Sequence, residues 1–239
     1  MGYRDWIYAW ETRLNARDTN RVVRPLEWGL EWVAGWPGPN GRGAAASVDS
    51  GDYLARLNRE LVARSDEFYS YRTPSDYRLE GDSLLFTSPV ATPYPANNLV
   101  RARWFPAGRR RALVVLPQWN SDAEGHNALC RIFNRAGFSA LRLSLPYHDF
   151  RKPGETVRAE YAVSSNVGRT LAAGRQAVID ARCCVDWLEG QGYSQLGIMG
   201  MASIQKTDAA SPANISPKNA NEASGRSDAV PAFIRTYPT

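Results

Sequence analysis

A chain of 239 residues with 44% hydrophobic and 22% charged side chains is ordinary for a soluble globular domain, long enough to bury one core, or one core with a small cap. Its net charge of +5 is mild, and with no zinc spacing and no aromatic-interleaved basic patch it gives no ground for expecting nucleic-acid binding. No apolar run approaches the roughly 18 residues needed to span a bilayer, so stable membrane insertion is not expected. The opening Met1-Gly2-Tyr3-Arg4-Asp5-Trp6 is charged at once and lacks a secretory apolar core. Trp6 stands where a myristoylation signal needs Ser or Thr. Cys130, Cys183 and Cys184 are odd in number and lack framework spacing. They suit a reducing, cytoplasmic setting and core packing rather than disulfides or a reactive thiol.

Trp6, Ile7, Trp10 and Leu14 share one helical face. Pro25 is placed for the first turn of a second helix, with Leu26, Trp28, Leu30, Trp32 and Val33 behind it. Five of the eight tryptophans lie in the first 36 residues. This segment reads either as a cap docked on the core or as a lipid- or ligand-facing surface, because indoles bury large areas and often keep one wet edge. Gly35 to Ser47 is a loop by composition. Ser50 is placed to cap a third helix whose inner side is Tyr53, Leu54, Leu57, Leu61 and Val62. Residues 1–75 thus form an expected helical cap.

Strands begin near Tyr77. Tyr77–Leu79 and Leu84–Phe86 flank the hairpin signal Glu80-Gly81-Asp82-Ser83. Val100, Ala102 and Trp104 alternate with Arg101 and Arg103, predicting a strand near a sheet edge. Arg109-Arg110-Arg111 reads as an exposed turn or, alternatively, an anion contact. Ala112–Leu116 is continuously apolar, as in a strand buried on both faces. Ser121 or Asp122 is placed to cap the next helix, where Leu129, Ile132, Phe133 and Ala136 recur on one side before Gly137. Leu141, Leu143 and Leu145 form the following strand. This βαβ order predicts an α/β fold, a mostly parallel sheet with helices on both faces. A long helix follows over about Asn166–Glu189, its buried stripe being Leu171, Val178, Ala181, Val185 and Leu188. Gly190 and Gly192 close it, and Gln195–Met199 is the next strand.

From Gln205 to Thr239 Asp, Ser, Asn, Ala and Pro are scattered without period. Two of the three lysines, Lys206 and Lys218, lie here, whereas the first 200 residues hold 24 arginines and only Lys152. The change suggests a shifted reading frame or a chimeric end, with a natural disordered tail as the alternative. The core therefore spans residues 76–204 and the tail 205–239.

Two stretches carry a resemblance. Leu116-Pro117-Gln118-Trp119-Asn120-Ser121-Asp122-Ala123-Glu124-Gly125-His126 and Ser139-Ala140-Leu141-Arg142-Leu143-Ser144-Leu145-Pro146-Tyr147-His148-Asp149 resemble the bacterial branch of the α/β-hydrolase domain-containing protein 18 family. Arg4-Asp5-Trp6 and Asp180–Gly192 agree, so the likeness covers about residues 1–200. It implies an α/β-hydrolase fold, here truncated after its elbow strand, and hydrolysis of a small ester or lipid by a serine in G-x-S-x-G, without cofactor or metal. In such a site a histidine takes the serine proton, a carboxylate orients it, and two backbone N–H groups hold the oxyanion. The oxyanion loop would be Gln118-Trp119-Asn120, with Trp119 or Asn120 as donor; packing at the sheet edge is the alternative for Trp119.

The chain departs from that pattern at the elbow itself. Gly200-Met201-Ala202-Ser203-Ile204 puts Ala202 at the nucleophile position and Ile204 where a glycine lets the backbone turn tightly. Ser203 is a weak substitute, one residue out of place. The only histidines, His126 and His148, precede the elbow, whereas the fold's order is Ser, acid, His. They and Asp149 are pocket candidates, with structural hydrogen bonding as the alternative for the histidines. The expectation is a catalytically incompetent hydrolase scaffold, or a remnant or frameshifted product, whose last strand is an aggregation-prone edge. A binding module built on the tryptophan-rich cap is the third reading.

Overall fold

The computed structural model describes residues 24–37 and 49–200. The expected helix through Trp6 and Leu14, most of the glycine-rich loop, the elbow at Met201–Ile204 and the polar tail lie outside the described residues. Pro25 does not open a helix. Glu27 instead forms a parallel bridge with Asn166, its N–H donating to the Ser165 carbonyl at 3.0 Å and its carbonyl accepting from Val167 N–H at 2.9 Å. This distant main-chain pairing overrides the local helical spacing. Only a 3-10 turn remains, Leu30–Trp32. Gly29 turns the chain with φ of 62°, and Gly168 lies so close to the Gly29 carbonyl that a β-carbon has no room.

Helix α1 (Ser50–Ala63) is capped by Asp49, whose carboxylate accepts from Gly51 N–H at 2.9 Å and Asp52 N–H at 3.2 Å. Ser50, expected as the cap, is the first helical residue. Leu54, Leu57 and Leu61 are buried as their spacing requires, but Val62 is exposed. A single turn, α2 (Ser65–Phe68), follows.

The six strands are β1 (Arg78–Glu80), β2 (Ser83–Thr87), β3 (Leu99–Phe105), β4 (Arg111–Leu116), β5 (Ser139–Leu143) and β6 (Gln195–Gly200). The helices between them are the single turn α3 (Pro95–Asn98), α4 (Asn127–Arg135) and α5 (Val167–Gly190). Strand order is β1-β2-β3-β5-β4-β6. The β1–β2 hairpin turns at Gly81, φ 61°. β2–β3 and β3–β5 are also antiparallel, while β4–β5 and β4–β6 are parallel. The fold is therefore α/β with a mixed sheet, its parallel part confined to the strands joined through α4 and α5. β3, expected near an edge, lies between β2 and β5. Among the described residues β6 pairs with β4 alone.

Strand alternation sorts the core into two layers. Leu84, Phe86, Val100, Ala102, Ala112, Val114, Leu141 and Leu143 face α5 and meet Ile179, Cys183, Cys184, Trp187 and Leu188. Phe105, Val115 and Ala140 face the other way, toward Cys130 and Phe133 of α4. All three cysteines are free and fully buried, and burial pushes the Cys130 thiol up to about 11. α4 starts at Asn127 rather than after Ser121 or Asp122, and Ile132 faces water. Gly137 follows it with φ of 77°, the left-handed conformation expected there.

α5 keeps its expected limits but not its expected stripe. The Asn166 carboxamide caps it, accepting from Arg169 N–H at 2.8 Å. Leu171 and Val178 are exposed, whereas Gln176 and Asp180 are buried. The inner face holds polar residues because a polar network fills the space between α5 and the segment after β5. Arg151 donates to Asp180 Oδ2 at 2.8 Å, twice to the Asn97 carbonyl, and to the Ser144 carbonyl. Ser88 donates to Asp180 Oδ1 at 2.6 Å, Gln176 donates to Ser88, and Asn97 donates to Gln176 at 2.8 Å. Burial pushes the Asp180 carboxyl up, against the opposing pull of the Arg151 guanidinium and the Ser88 hydroxyl. Removing one member strands the other's charge away from water. Asp180→Ala is therefore expected to lower unfolding free energy by about 3–5 kcal/mol, measured by urea denaturation, whereas Glu80→Ala in the exposed Arg78–Glu80 pair is expected to change it by less than about 1 kcal/mol.

Candidate functional site

The carboxyl ends of β4 and β5 open into a cleft of about 490 Å³ between residues 120–123 and 148–159. Asn120, Ser121, Asp122, His148, Asp149 and Lys152 are among its walls. Of the residues singled out in the sequence, Asn120, His148 and Asp149 line the cleft, whereas Gln118, Trp119 and His126 are not among its walls.

His148 sits at the centre of the arrangement and is 3% exposed. Its Nδ1 lies 2.8 Å from the Pro146 carbonyl. A carbonyl only accepts, so Nδ1 carries the proton and Nε2 is the acceptor. Nε2 receives the Asn120 N–H at 2.9 Å. Both ring nitrogens are committed to backbone. Burial holds the imidazole below its ordinary pKa, ahead of the opposing contribution of the Pro146 carbonyl.

The 118–120 loop is tied across the cleft at three points. Besides the His148 bond, Trp119 Nε1 donates to the Ala159 carbonyl at 3.2 Å, and Asn120 Oδ1 accepts from Ala159 N–H at 3.1 Å. The Arg158 guanidinium lies 5.2 Å from the Trp119 ring centre. Gln118 is exposed, and its carbonyl accepts from Ser121 N–H. Asn120 adopts φ of 60°, a left-handed conformation that asparagine tolerates better than most residues.

Asp149 also has a positive φ, 48°, and its side chain is fully buried. Oδ2 accepts from Arg142 at 2.6 Å and from Ser144 Oγ at 3.0 Å. Among the described residues its bonds run to this pair and to neither imidazole, and Oδ1 has no hydrogen-bond partner. Asp149 therefore fixes Arg142 rather than orienting a histidine. Arg142 in turn donates to the Gly125 and Asp122 carbonyls, holding the turn that Asp122 also caps through Glu124 N–H and Gly125 N–H. His126 precedes α4 with φ of 69°, half-buried, its Nδ1 3.5 Å from Ser121 Oγ. Among the described residues no group of three His, Cys, Asp or Glu is placed to hold a metal ion.

Ala202 and Ser203 lie outside the described residues. The sequence reading missed Arg142 and Arg151, both fully buried. A usable signal was present for one of them: a lone arginine in Leu141-Arg142-Leu143, inside a strand covered on both faces, demands a carboxylate nearby, and Asp149 is the close one.

No family model matches the sequence, and the finer assignment to the domain-containing protein 18 family has no support from that side. Among solved structures the chain is similar to a PEG-bound cold-adapted esterase from an Arctic intertidal metagenomic library, at 15% identity and a TM-score of 0.33. The likeness covers 56% of this chain and 56% of the esterase, so the chain spans little more than half the length of that neighbour. No described helix is long and apolar enough to cross a membrane.

The lowered His148 pKa fixes the sign of a pH effect. The unfolded chain binds the imidazole proton near pH 6.5 and the folded chain only at lower pH, so stability is present above about 6.5 and is lost as pH falls toward the folded value. In His148→Gln the slope of unfolding free energy against pH just below 6.5 is expected to be smaller by up to about 1.4 kcal/mol per pH unit, read from urea titrations at several pH values.

Proposed function

We propose that this chain is a non-catalytic member of a serine ester hydrolase lineage, an α/β scaffold with its acyl-transfer apparatus switched out. The observation that carries the reading is Gly200-Met201-Ala202-Ser203-Ile204, where the elbow has a methyl group in place of the attacking hydroxyl. Covalent acyl transfer needs that oxygen, activated by a histidine and exposed on a tight turn.

The geometry of the cleft supports the same reading. An oxyanion hole works by aiming free N–H donors at the position where negative charge develops. The Asn120 N–H, one of two candidate donors, is spent on His148 Nε2. The general base of such a site presents an acceptor nitrogen to the nucleophile, and His148 presents its acceptor to that same amide. Asp149, the candidate orienting carboxylate, serves Arg142 instead. In relatives with an intact elbow, the same lineage implies a small ester or lipid substrate. The free, buried cysteines accord with a reducing compartment such as the cytoplasm.

A second reading is favoured by the lysine-for-arginine change after Gly200: a frameshifted product of a hydrolase gene. Translating the other two frames of the coding DNA from codon 201 tests it, and recovery of a G-x-S-x-G with a later histidine is the supporting result. For the chain itself, a fluorophosphonate probe is expected to label no serine. Labelling abolished by Ser203→Ala, located by peptide mass spectrometry, would show that Ser203 is a nucleophile and overturn the non-catalytic reading.

A further inference from the structure

The amino ends of the parallel strands β4, β5 and β6 lie at the opposite end of the sheet from the cleft, and three turns meet there: residues 105–111, 134–139 and 190–195. The buried Ser139 hydroxyl ties them together. It accepts from Ala107 N–H at 2.9 Å and donates to the Gly108 carbonyl at 2.9 Å. Its one hydrogen is spent there, so the Tyr193 hydroxyl donates to it, also at 2.9 Å. Asn134 Nδ2 donates to the Phe105 and Phe138 carbonyls, and the Arg110 carbonyl accepts from Ser194 N–H and Gln195 N–H. The backbone of this end is therefore fixed.

The side chains it carries are one-sided in charge. Residues 105–111 and 127–139 hold five arginines, Arg109, Arg110, Arg111, Arg131 and Arg135, and no Asp or Glu. All five are exposed. The adjoining residues 189–195 add a single carboxylate, Glu189. The acids of the neighbouring β1–β2 hairpin are already held, Glu80 by Arg78 and Asp82 by Arg103. Arg111 lies over the Phe138 ring at 4.2 Å and donates to the Ala136 carbonyl at 3.2 Å, neutral partners that fix its position and leave its charge uncompensated. Among the described residues Arg109, Arg110, Arg131 and Arg135 make no side-chain hydrogen bond, ion pair or ring contact. Most of the chain's net charge of +5 is thus gathered at one end. Amid these cations Ile132, expected to be core, is 57% exposed, between Arg131 and Arg135 near the end of α4.

We infer that this end of the sheet is a docking face for an anionic phospholipid surface, with its arginines on lipid phosphates and Ile132 entering the boundary between headgroups and acyl chains. Guanidinium groups spread over two turns and a helix match a field of phosphates rather than one small anion. An exposed branched apolar side chain among cations is the composition of an interfacial contact: the charges hold to the headgroups while the hydrocarbon leaves water. A nucleic acid would use the arginines but has no use for Ile132, since bases stack on aromatic faces. The rings of these turns are covered, Phe105 in the core and Phe138 beneath Arg111. Docking needs no nucleophile, so the inference stands apart from the state of the elbow. Because the cleft opens at the carboxyl ends of the same strands, a docked molecule turns it away from the bilayer. The lipid surface is here an anchor and not a substrate.

Vesicle flotation tests this, since aggregated protein stays at the bottom of the gradient. The full chain is expected to bind vesicles of equal parts phosphatidylcholine and phosphatidylglycerol more tightly than pure phosphatidylcholine by roughly tenfold or more. Raising salt from about 0.1 M to about 1 M, which shortens the screening length from about 10 Å to about 3 Å, is expected to release it. Arg109→Gln/Arg110→Gln is expected to weaken binding roughly 25-fold, about fivefold for each arginine. Ile132→Ser, which changes no charge, is expected to weaken it roughly tenfold with the salt dependence kept. Arg56→Gln/Arg59→Gln, the same charge change at exposed positions of α1, is expected to change it by less than about twofold. Thermal midpoints equal to that of the unaltered chain show that the variants fold. Absence of flotation, equal flotation with pure phosphatidylcholine, or equal loss in the α1 variant would each overturn the inference. An oligonucleotide that displaces the chain from vesicles and binds Ile132→Ser as tightly as the unaltered chain would reassign the face to nucleic acid.

Discussion

One buried pair of charges governs the functional end of this molecule. Arg151 and Asp180 meet at 2.8 Å with both side chains shut off from water. An interior ion pair is not a large net stabiliser, since desolvation opposes attraction; its effect is that partially paired alternatives are costly. Asp180 sits on a six-turn helix and Arg151 ends a single 3-10 turn, Asp149–Arg151, so the helix dictates where that short turn sits. Through Arg151 the Ser144 and Asn97 carbonyls are fixed, and through Asn97 Oδ1 the Tyr147 N–H is held at 2.9 Å. The chain from β5 to Arg151 is thereby given one path.

That path accounts for the backbone around the cleft. Tyr147 and Asp149 have φ of 63° and 48°, conformations that cost on the order of 1 kcal/mol each for residues with a β-carbon. They persist because the network over-determines them. Between them His148 has no freedom to rotate: its ring spans from the Pro146 carbonyl to the Asn120 amide. The cleft is held in one shape by hydrogen bonds among its own walls.

Much of the architecture was legible in the sequence, for a physical reason in each case. The unbroken apolar run at Ala112–Leu116 could only be a doubly covered strand, and β4 is one. Gly137 marks a helix end through local backbone geometry, so it was readable without tertiary knowledge, and the start of α5 was placed within one residue of its observed limit. The misreadings share a different cause. Pro25 and its followers have helical spacing, yet Glu27 pairs with a strand-like partner 139 residues away. The stripe of α5 was rotated because Gln176 and Asp180 occupy inner positions that a hydrophobic pattern assigns to apolar side chains. His148 was identified as a pocket residue, but the direction of its nitrogens depends on Pro146 and Asn120, which no spacing rule connects. The α/β class was thus within reach of sequence, and Asn120, His148 and Asp149, which share the cleft, were among the residues singled out; the wiring among them was not legible.

The join between the amino-terminal strap and α5 has an evolutionary corollary. Three of its bonds, at Glu27, Val167 and Gly168, run between main-chain atoms, which every residue except proline supplies on the donor side. Side chains along the strap can therefore drift without loosening it, while Gly29, where a β-carbon would run into the Asn166 carboxamide, and Gly168, where it would run into the Gly29 carbonyl, cannot accept even a methyl group. Divergent relatives of this chain would be recognised by that pair of glycines sooner than by any apolar motif near them.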